Sequence, residues 1–193
     1  MSKLNQQEQV NYRGKLFEVV SEPVQIDGHD LVFEKVRRSP GVRLIIEDEQ
    51  GNIMLPREFR HELSKVDYRL PGGKVFDSLQ EFSLFKQQGG DIAQKAKEAA
   101  IKEAKEETGF SLVDLEFLSL SKLGATVEWD LYYFSARVER KSQGAQHLEL
   151  GENIEIVWLK KEEVQKILLE SDSFSEDRSV AVVMRFFHKL GGQ

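Results

Sequence analysis

The chain has 193 residues, 40% of them hydrophobic and 31% charged, a formal net charge of -6 and no cysteine. One soluble domain with a sizeable core, possessing at most a small appendage, is the expectation at this length and composition. The absent cysteines exclude disulfides, thiolate zinc sites and a cysteine nucleophile, and the acidic balance argues against a general nucleic-acid binder while leaving room for a local arginine cluster that holds small anions.

No apolar run approaches the length of a membrane span, and the leading MSKLNQQEQVNYRGK has no apolar core of the secretory kind, so a cytoplasmic protein that does not enter membranes is expected. Residues 1–9 are polar and predicted to fray. Strands are predicted over residues 15–20, 24–26 and 31–36, the last two joined by a turn at Asp27-Gly28, since Asp-Gly between apolar runs signals a hairpin. Residues 42–46 read as a buried strand, 47–52 as a turn, 53–57 as the returning strand and 64–68 as loop; Arg69-Leu70-Pro71-Gly72-Gly73-Lys74 is a tight glycine turn. Ser78 is a good N-cap for a short helix with Leu79, Phe82 and Phe85 or Leu84 at helical spacing, stopped by Gly89-Gly90. Asp91 caps a second helix running to about Thr108, with Ala93, Ala96, Ala100 and Ala104 as a small-residue stripe and Gly109 at its C′ position. Strands follow over 112–120, 129–138 and 154–159, with a loop at 141–144, then an amphipathic helix over 161–169, a polar link over 171–177 and a final helix over 178–190. This order predicts an α/β sandwich built on a mixed sheet.

One stretch stands out electrostatically. Residues 102–110, Lys-Glu-Ala-Lys-Glu-Glu-Thr-Gly-Phe, put Glu103, Glu106 and Glu107 at the C-terminal end of the second helix. The helix dipole disfavours acids there by about 0.3–1 kcal/mol each, and Glu103 and Glu107, four apart, repel by roughly 0.2–0.5 kcal/mol. A bound divalent cation reverses each of these signs, and carboxylate oxygens suit Mg2+ or Mn2+. A solvated acidic face is the other reading of the same run.

Together with Leu70-Pro71-Gly72-Gly73-Lys74, this run resembles the Nudix box, whose pattern is Gly, five residues, Glu, seven residues, then Arg-Glu-aliphatic-x-Glu-Glu-x-Gly-aliphatic. The second half is present over residues 102–110, with Lys102 in place of Arg and Phe110 at the last apolar position. The first half departs from the pattern: Gln94 stands where the family has Glu, and it follows Gly73 by 21 positions rather than six, which implies an insertion of 15 residues at about 77–91. Outside the box, residues 53–60 (Ile-Met-Leu-Pro-Arg-Glu-Phe-Arg), 12–17 (Tyr-Arg-Gly-Lys-Leu-Phe) and 148–159 are similar to the ADP-ribose pyrophosphatase branch, so the resemblance spans most of residues 12–190.

The resemblance implies a Nudix-type α/β/α sandwich over residues 39–193, preceded by antiparallel strands over 1–38 that in this branch build a homodimer and reach the substrate site. It implies metal-dependent hydrolysis of the diphosphate linkage of ADP-ribose or a related nucleoside diphosphate sugar. Another nucleotide substrate, or binding of a nucleotide sugar without turnover, are the alternatives. By the family pattern, Glu103 and Glu107 are direct ligands of Mg2+ or Mn2+, Glu106 a ligand or an outer group, and the Gly72 carbonyl a further oxygen. Lys102 keeps the charge of the arginine that orients the glutamates but loses its planar fork. The base that activates water is expected in the acidic loop, with Glu152 the best positional match and Glu149 and Glu155 as alternatives. Arg60 is the expected diphosphate clamp, with Arg38 and Arg37 reaching the same site or the partner's, because arginine makes paired contacts to phosphate. Tyr12, Phe17 and Trp129 have the chemistry to stack on a base, though core packing is the commoner use of such rings. His29, His61, His147 and His188 have no metal-ligand spacing.

Overall fold

The computed structural model describes residues 8–148, 151, 153–170 and 172–191. Its backbone begins with three antiparallel strands, β1 (Gln9–Arg13), β2 (Phe17–Ile26) and β3 (His29–Arg38). Asp27 and Gly28 both take positive φ, 51° and 81°, between Ile26 and His29, the two-residue turn that matches the twist of a hairpin. The predicted break in β2 does not occur: Pro23 lies inside the strand. Among the described residues, pairing with β1 ends at Ser21, so beyond that point β2 is an edge, and the missing N–H of Pro23 costs no ladder bond. Pairing of β1 from Gln9 orders the chain earlier than expected.

The main sheet contains β4 (Gly41–Glu47), β5 (Ile53–Arg60), β6 (Lys65–Tyr68), β7 (Val113–Ser121), β9 (Leu131–Arg137) and β10 (Glu155–Leu159). Its order is β10-β5-β4-β9-β7, with β6 beside the far half of β5; β4 and β9 run parallel over Gly41–Glu47 and every other pair is antiparallel, so the sheet is mixed as predicted. Residues 64–68 were expected as loop; instead Lys65–Tyr68 pairs with Arg57–Arg60, and β5 runs to Arg60. The polarity that argued for a loop belongs to a strand whose Asp67 is buried and hydrogen-bonded, a pattern that composition does not separate from a turn. The two-residue strand β8 (Val127–Glu128) joins the first sheet, parallel to β3.

Helices cover both faces of the main sheet. On one side lie α1 (Leu79–Gln87) and α2 (Ile92–Glu103); on the other lie α3 (Lys161–Glu170) and α4 (Asp177–Gly191). The alternation of β4 divides the core between them: Val42, Leu44 and Ile46 pack with Ala96, Ala100, Ala104, Phe76 and Phe82, whereas Ile45 packs with Val164, Val183 and Phe187. Fully buried alanines let α2 approach the sheet closely, although Ala93 at its start is exposed. This is the α/β/α sandwich expected. The inserted segment forms α1, N-capped by the Ser78 hydroxyl, which accepts from Glu81 N–H, and ending as Gly89 N–H and Gly90 N–H return to the carbonyls of Lys86 and Phe85. Phe82 and Phe85 seat α1 on Phe76, with ring centroids 5.3 and 5.2 Å apart.

The buried face of α1 is therefore Leu79 and Phe82, with Leu84 half exposed. Phe82→Ala is expected to destabilise the protein by about 3–5 kcal/mol in urea unfolding, and Leu84→Ala by no more than about 0.5 kcal/mol; equal losses would mean that the helix is seated on a different face.

Candidate active site

The glycine turn lies on the end of β4. Val42 N–H donates to the Gly73 carbonyl at 3.0 Å and Leu44 N–H to the Pro71 carbonyl at 2.9 Å. The carbonyl between them, that of Gly72, takes no part in this ladder. Gly72 has φ 147°, and a Cβ there would stand 2.1 Å from the Val42 carbonyl oxygen, so the position admits only glycine. A Cβ on Gly73 would stand 2.2 Å from Glu103 Oε1, so the Glu103 carboxylate rests directly on the turn. Gly72 N–H in turn donates to Glu107 Oε2 at 2.8 Å. Two glycines and two glutamates, 30 to 35 positions apart in sequence, thus form one contact.

The helix that carries the glutamates does not end as a regular α-helix. After Glu103 it widens into a π-helical turn, Ala104–Thr108, closed by Gly109 at φ 77°. Such widened turns recur at functional sites, and this one offsets Glu106 and Glu107 from the positions a continuous α-helix would give them. The carbonyls left over at this end are captured by the segment 143–147. Gln143 Nε2 donates to Thr108 O at 3.1 Å, Gly144 N–H to Gly109 O at 2.9 Å, Gln146 Nε2 to Glu107 O at 2.6 Å and His147 N–H to Glu106 O at 2.7 Å. Satisfying these acceptors relieves the negative helix end on which the glutamates stand.

Around the contact is a cleft of about 120 Å3, lined by Gly72, Gly73, Lys74, Asp77, Lys102, Glu103, Glu106, Glu107 and His147. The structure therefore brings together the expected Gly72, Lys102, Glu103, Glu106 and Glu107. Lys102 Nζ lies 3.7 Å from Glu106 Oε2, an exposed pair of small energetic weight. Among the described residues, no three carboxylate or imidazole groups converge closely enough to close a metal cage by themselves. The donors that line the cleft are nonetheless hard oxygens, held at the one place where the turn has no side chain to obstruct them, and this set fits Mg2+ or Mn2+. Two lining residues were missed from the sequence. Asp77 belongs to the inserted segment and follows no motif, and His147, set aside for lack of spacing, arrives through the loop that caps the π-helical turn. Gln94 is an exposed residue on the first turn of α2, its amide directed to Glu98, and it does not line the cleft.

The expected arginines separate. Arg60 lines a hollow of about 130 Å3 next to Glu107, together with Arg43, Arg69 and Asp67, and is gripped by Glu58 and Glu62. Arg37 lies in a knot of carboxylates, bonded to Glu8, Glu18 and Glu128, with Glu18 only 1% exposed. Arg38 lies on the Trp129 ring, 4.4 Å from its centroid. Glu155 is exposed and paired with Arg57 at 2.6 Å; Glu149 and Glu152 lie outside the described residues.

Sequence gave no warning of Arg43. It projects from β4 and meets Glu176 through two hydrogen bonds of 2.9 Å each; Glu176 also accepts from the Ser179 hydroxyl, which contacts Tyr133 Oη at 3.0 Å. Just upstream, Asp67 accepts from Ser175 N–H and hydroxyl and from Arg69, so residues 173–176 are laced to the strands beneath the site. Burial works against the charge of Glu176, but the charge and hydrogen bonds of Arg43, followed by Ser179, outweigh it and hold its carboxyl below the ordinary 4.5.

These features define an α/β/α sandwich with a glycine turn set against a glutamate-bearing helix end, and with it the Nudix hydrolase class. The NUDIX domain family matches residues 37–180, and the chain belongs to that family. Among solved structures it is similar to one described as the crystal structure of an ADP compounds hydrolase, at 23% identity and a TM-score of 0.70, over 97% of this chain and 93% of that one. No curated protein sequence matches significantly.

A carboxyl whose folded pKa is lowered stabilises the fold above its unfolded pKa, and that contribution disappears as pH falls through the folded value. Wild type is thus expected to lose stability on acidification from about pH 5 downward, and Glu176→Gln to show a shallower loss over that range while being less stable at pH 7. Urea midpoints measured from pH 3 to 7 check this; parallel curves would remove Glu176 from the account.

Proposed function

We propose that this protein is a divalent-metal-dependent pyrophosphatase that hydrolyses the diphosphate linkage of ADP-ribose or a related nucleoside diphosphate sugar, giving a nucleoside monophosphate and a sugar phosphate. The observation that carries this is the contact of Gly72 and Gly73 with Glu107 and Glu103, which holds carboxylate oxygens against open backbone at the mouth of a cleft. Mg2+ or Mn2+ bound there supplies charge neutralisation for the diphosphate and a lowered pKa for the attacking water. Glu103, Glu107 and the Gly72 carbonyl are the proposed ligands, with Glu106 either a fourth or an outer group steadied by Lys102. Arg60 beside Glu107 is the proposed clamp for the diphosphate. The proposed base is Glu152, with Glu149 as the alternative; Glu155 is disfavoured by its pairing with Arg57.

We further propose that the protein is a cytoplasmic homodimer formed through the first sheet. Supporting this, Tyr12, Leu16, Phe17, Leu31, Val32 and Phe33 are all exposed on that sheet and its turns, more apolar surface than an isolated sheet ordinarily presents to water. Among the described residues, no helix is long and apolar enough to cross a membrane. Gln94 and the open arrangement of the glutamates favour one second reading, a binder of nucleotide sugars that does not turn them over.

Purified protein incubated with ADP-ribose, GDP-mannose and UDP-glucose plus Mg2+ is expected to release a nucleoside monophosphate from at least one of them. Glu107→Gln and Glu103→Gln are expected to lower kcat by at least about 100-fold, and Lys102→Ala by the roughly 10–100-fold typical of groups that orient ligands. In thermal melts, Mg2+ at about 100 times its Kd stabilises a specific site by about 2.7 kcal/mol; that gain should vanish in the two glutamate variants. Calorimetric binding with no product in any reaction would favour the binder. A melting temperature indifferent to Mg2+ and Mn2+ would end the metal assignment.

A further inference from the structure

Across the glycine turn from the glutamates lies a larger cavity, of about 170 Å3, which shares Gly72, Gly73, Lys74 and Asp77 with the carboxylate cleft. One ligand can therefore extend from the first into the second. Among the described residues, four cationic side chains line its wall, Lys15 between β1 and β2, Arg38 at the end of β3, Arg43 on β4 and Lys74 in the turn, against one carboxylate, Asp77. Arg43 is neutralised by Glu176. Lys15, Arg38 and Lys74 have no carboxylate partner among the described residues.

In place of an acid, Arg38 has a ring. Its guanidinium lies 4.4 Å from the Trp129 centroid, and that of Arg178 lies 4.7 Å from the same centroid. Arg178 gives one N–H to the Trp129 carbonyl at 2.9 Å and buries Nη2 without a partner. A ring engaged by two guanidiniums is poorly placed to stack on a base. The other aromatic in the wall, Phe76, is 2% exposed and packed against Phe82 and Phe85. The cavity is thus shaped for charge rather than for stacking. Burial first, then repulsion from Arg43, lowers the pKa of Arg38.

We propose that this cavity binds a phosphoryl group, and that the substrate is a diphosphate compound bearing a further phosphoryl group beyond the linkage that is cleaved. Lys15, Arg38 and Lys74 against Asp77 leave two positive charges, and a phosphate monoester carries about -1.5 to -2 at pH 7 where a carboxylate carries one. Arg38 offers paired donors to phosphate oxygens. The substrate half of the proposal rests on the pyrophosphatase reading; the phosphoryl site does not.

Calorimetric titration of metal-free protein with inorganic phosphate tests the site. One phosphate per chain is expected, bound about tenfold more weakly by Arg38→Gln, the factor for losing a hydrogen bond to a charged group, severalfold more weakly by Lys15→Ala and no more weakly by Glu107→Gln. Lys15 is exposed, so its variant is expected to fold even if Arg38→Gln does not. Absence of binding by wild type, or wild-type affinity in both cation variants, overturns the site. The substrate half is tested by kcat/KM with Mg2+ for diphosphates with and without a further phosphoryl group, beginning with ADP-ribose and its 2′-phosphate. A preference for the phosphorylated member that shrinks in Arg38→Gln supports it. Equal rates alongside phosphate binding overturn it and leave a site for free phosphate. If no diphosphate is cleaved, neither this pair nor the nucleoside diphosphate sugars above, the pyrophosphatase reading falls, and the titration alone decides the phosphoryl site.

Discussion

Everything at the site depends on one contact, the seating of a side-chain-free turn against a helix end that carries acids. Gly72 is held by β4 in a conformation with no room for Cβ, and it turns its N–H to Glu107. Gly73 leaves the space that the Glu103 carboxylate fills. Negative charge at the C-terminal end of a helix is unfavourable on its own. The fold tolerates it by giving one carboxylate a backbone donor and by satisfying the exposed carbonyls beneath from residues 143–147. A stability cost is thus confined to the few atoms where chemistry needs negative oxygen.

The remaining charge is arranged to hold this contact in place. Arg43 and Glu176 are paired in the interior just below it, and Asp67 ties the same segment to β6. Above it, Lys86 of the inserted helix pairs with Glu128, Glu128 with Arg37, and Arg37 with Glu18 and Glu8, so a run of ion pairs joins α1 to the first sheet. The insertion sits between turn and helix without separating them, and the entropy of closing a longer loop grows only slowly, by about 0.6 kcal/mol for each doubling of length. The Phe76, Phe82 and Phe85 cluster offsets that cost and makes the insertion a wall of the larger cavity.

Much of this was legible in the sequence because it is local. The Asp27-Gly28 turn, the Ser78 and Asp91 caps and the Gly109 stop each depend on a few adjacent residues and appear where expected. The acids at a helix end were visible as an electrostatic oddity, and the glycines as their counterpart. What could not be read depends on contacts between distant segments. Lys65–Tyr68 is a strand only because β5 runs on beside it. The π-helical turn owes its capped carbonyls to residues about 40 positions later, and His147 enters the cleft on that same segment. Arg37 and Arg38, adjacent in sequence and alike in chemistry, go to opposite fates because neighbouring residues of a strand face opposite sides: one meets carboxylates, the other a tryptophan.

Pro23 has a wider consequence. Among the described residues, the outer half of the β2–β3 hairpin extends past the end of β1 and leaves a row of backbone groups on β2 with no neighbour. Such an edge, next to side chains as apolar as Val32 and Phe33, is a template for uncontrolled strand addition. A proline in that row removes a donor that an incoming strand would need. Copies of this chain are thereby discouraged from joining edge to edge into an open ribbon, and any association through this sheet is directed to its side-chain faces, where the contact can close on itself and stop.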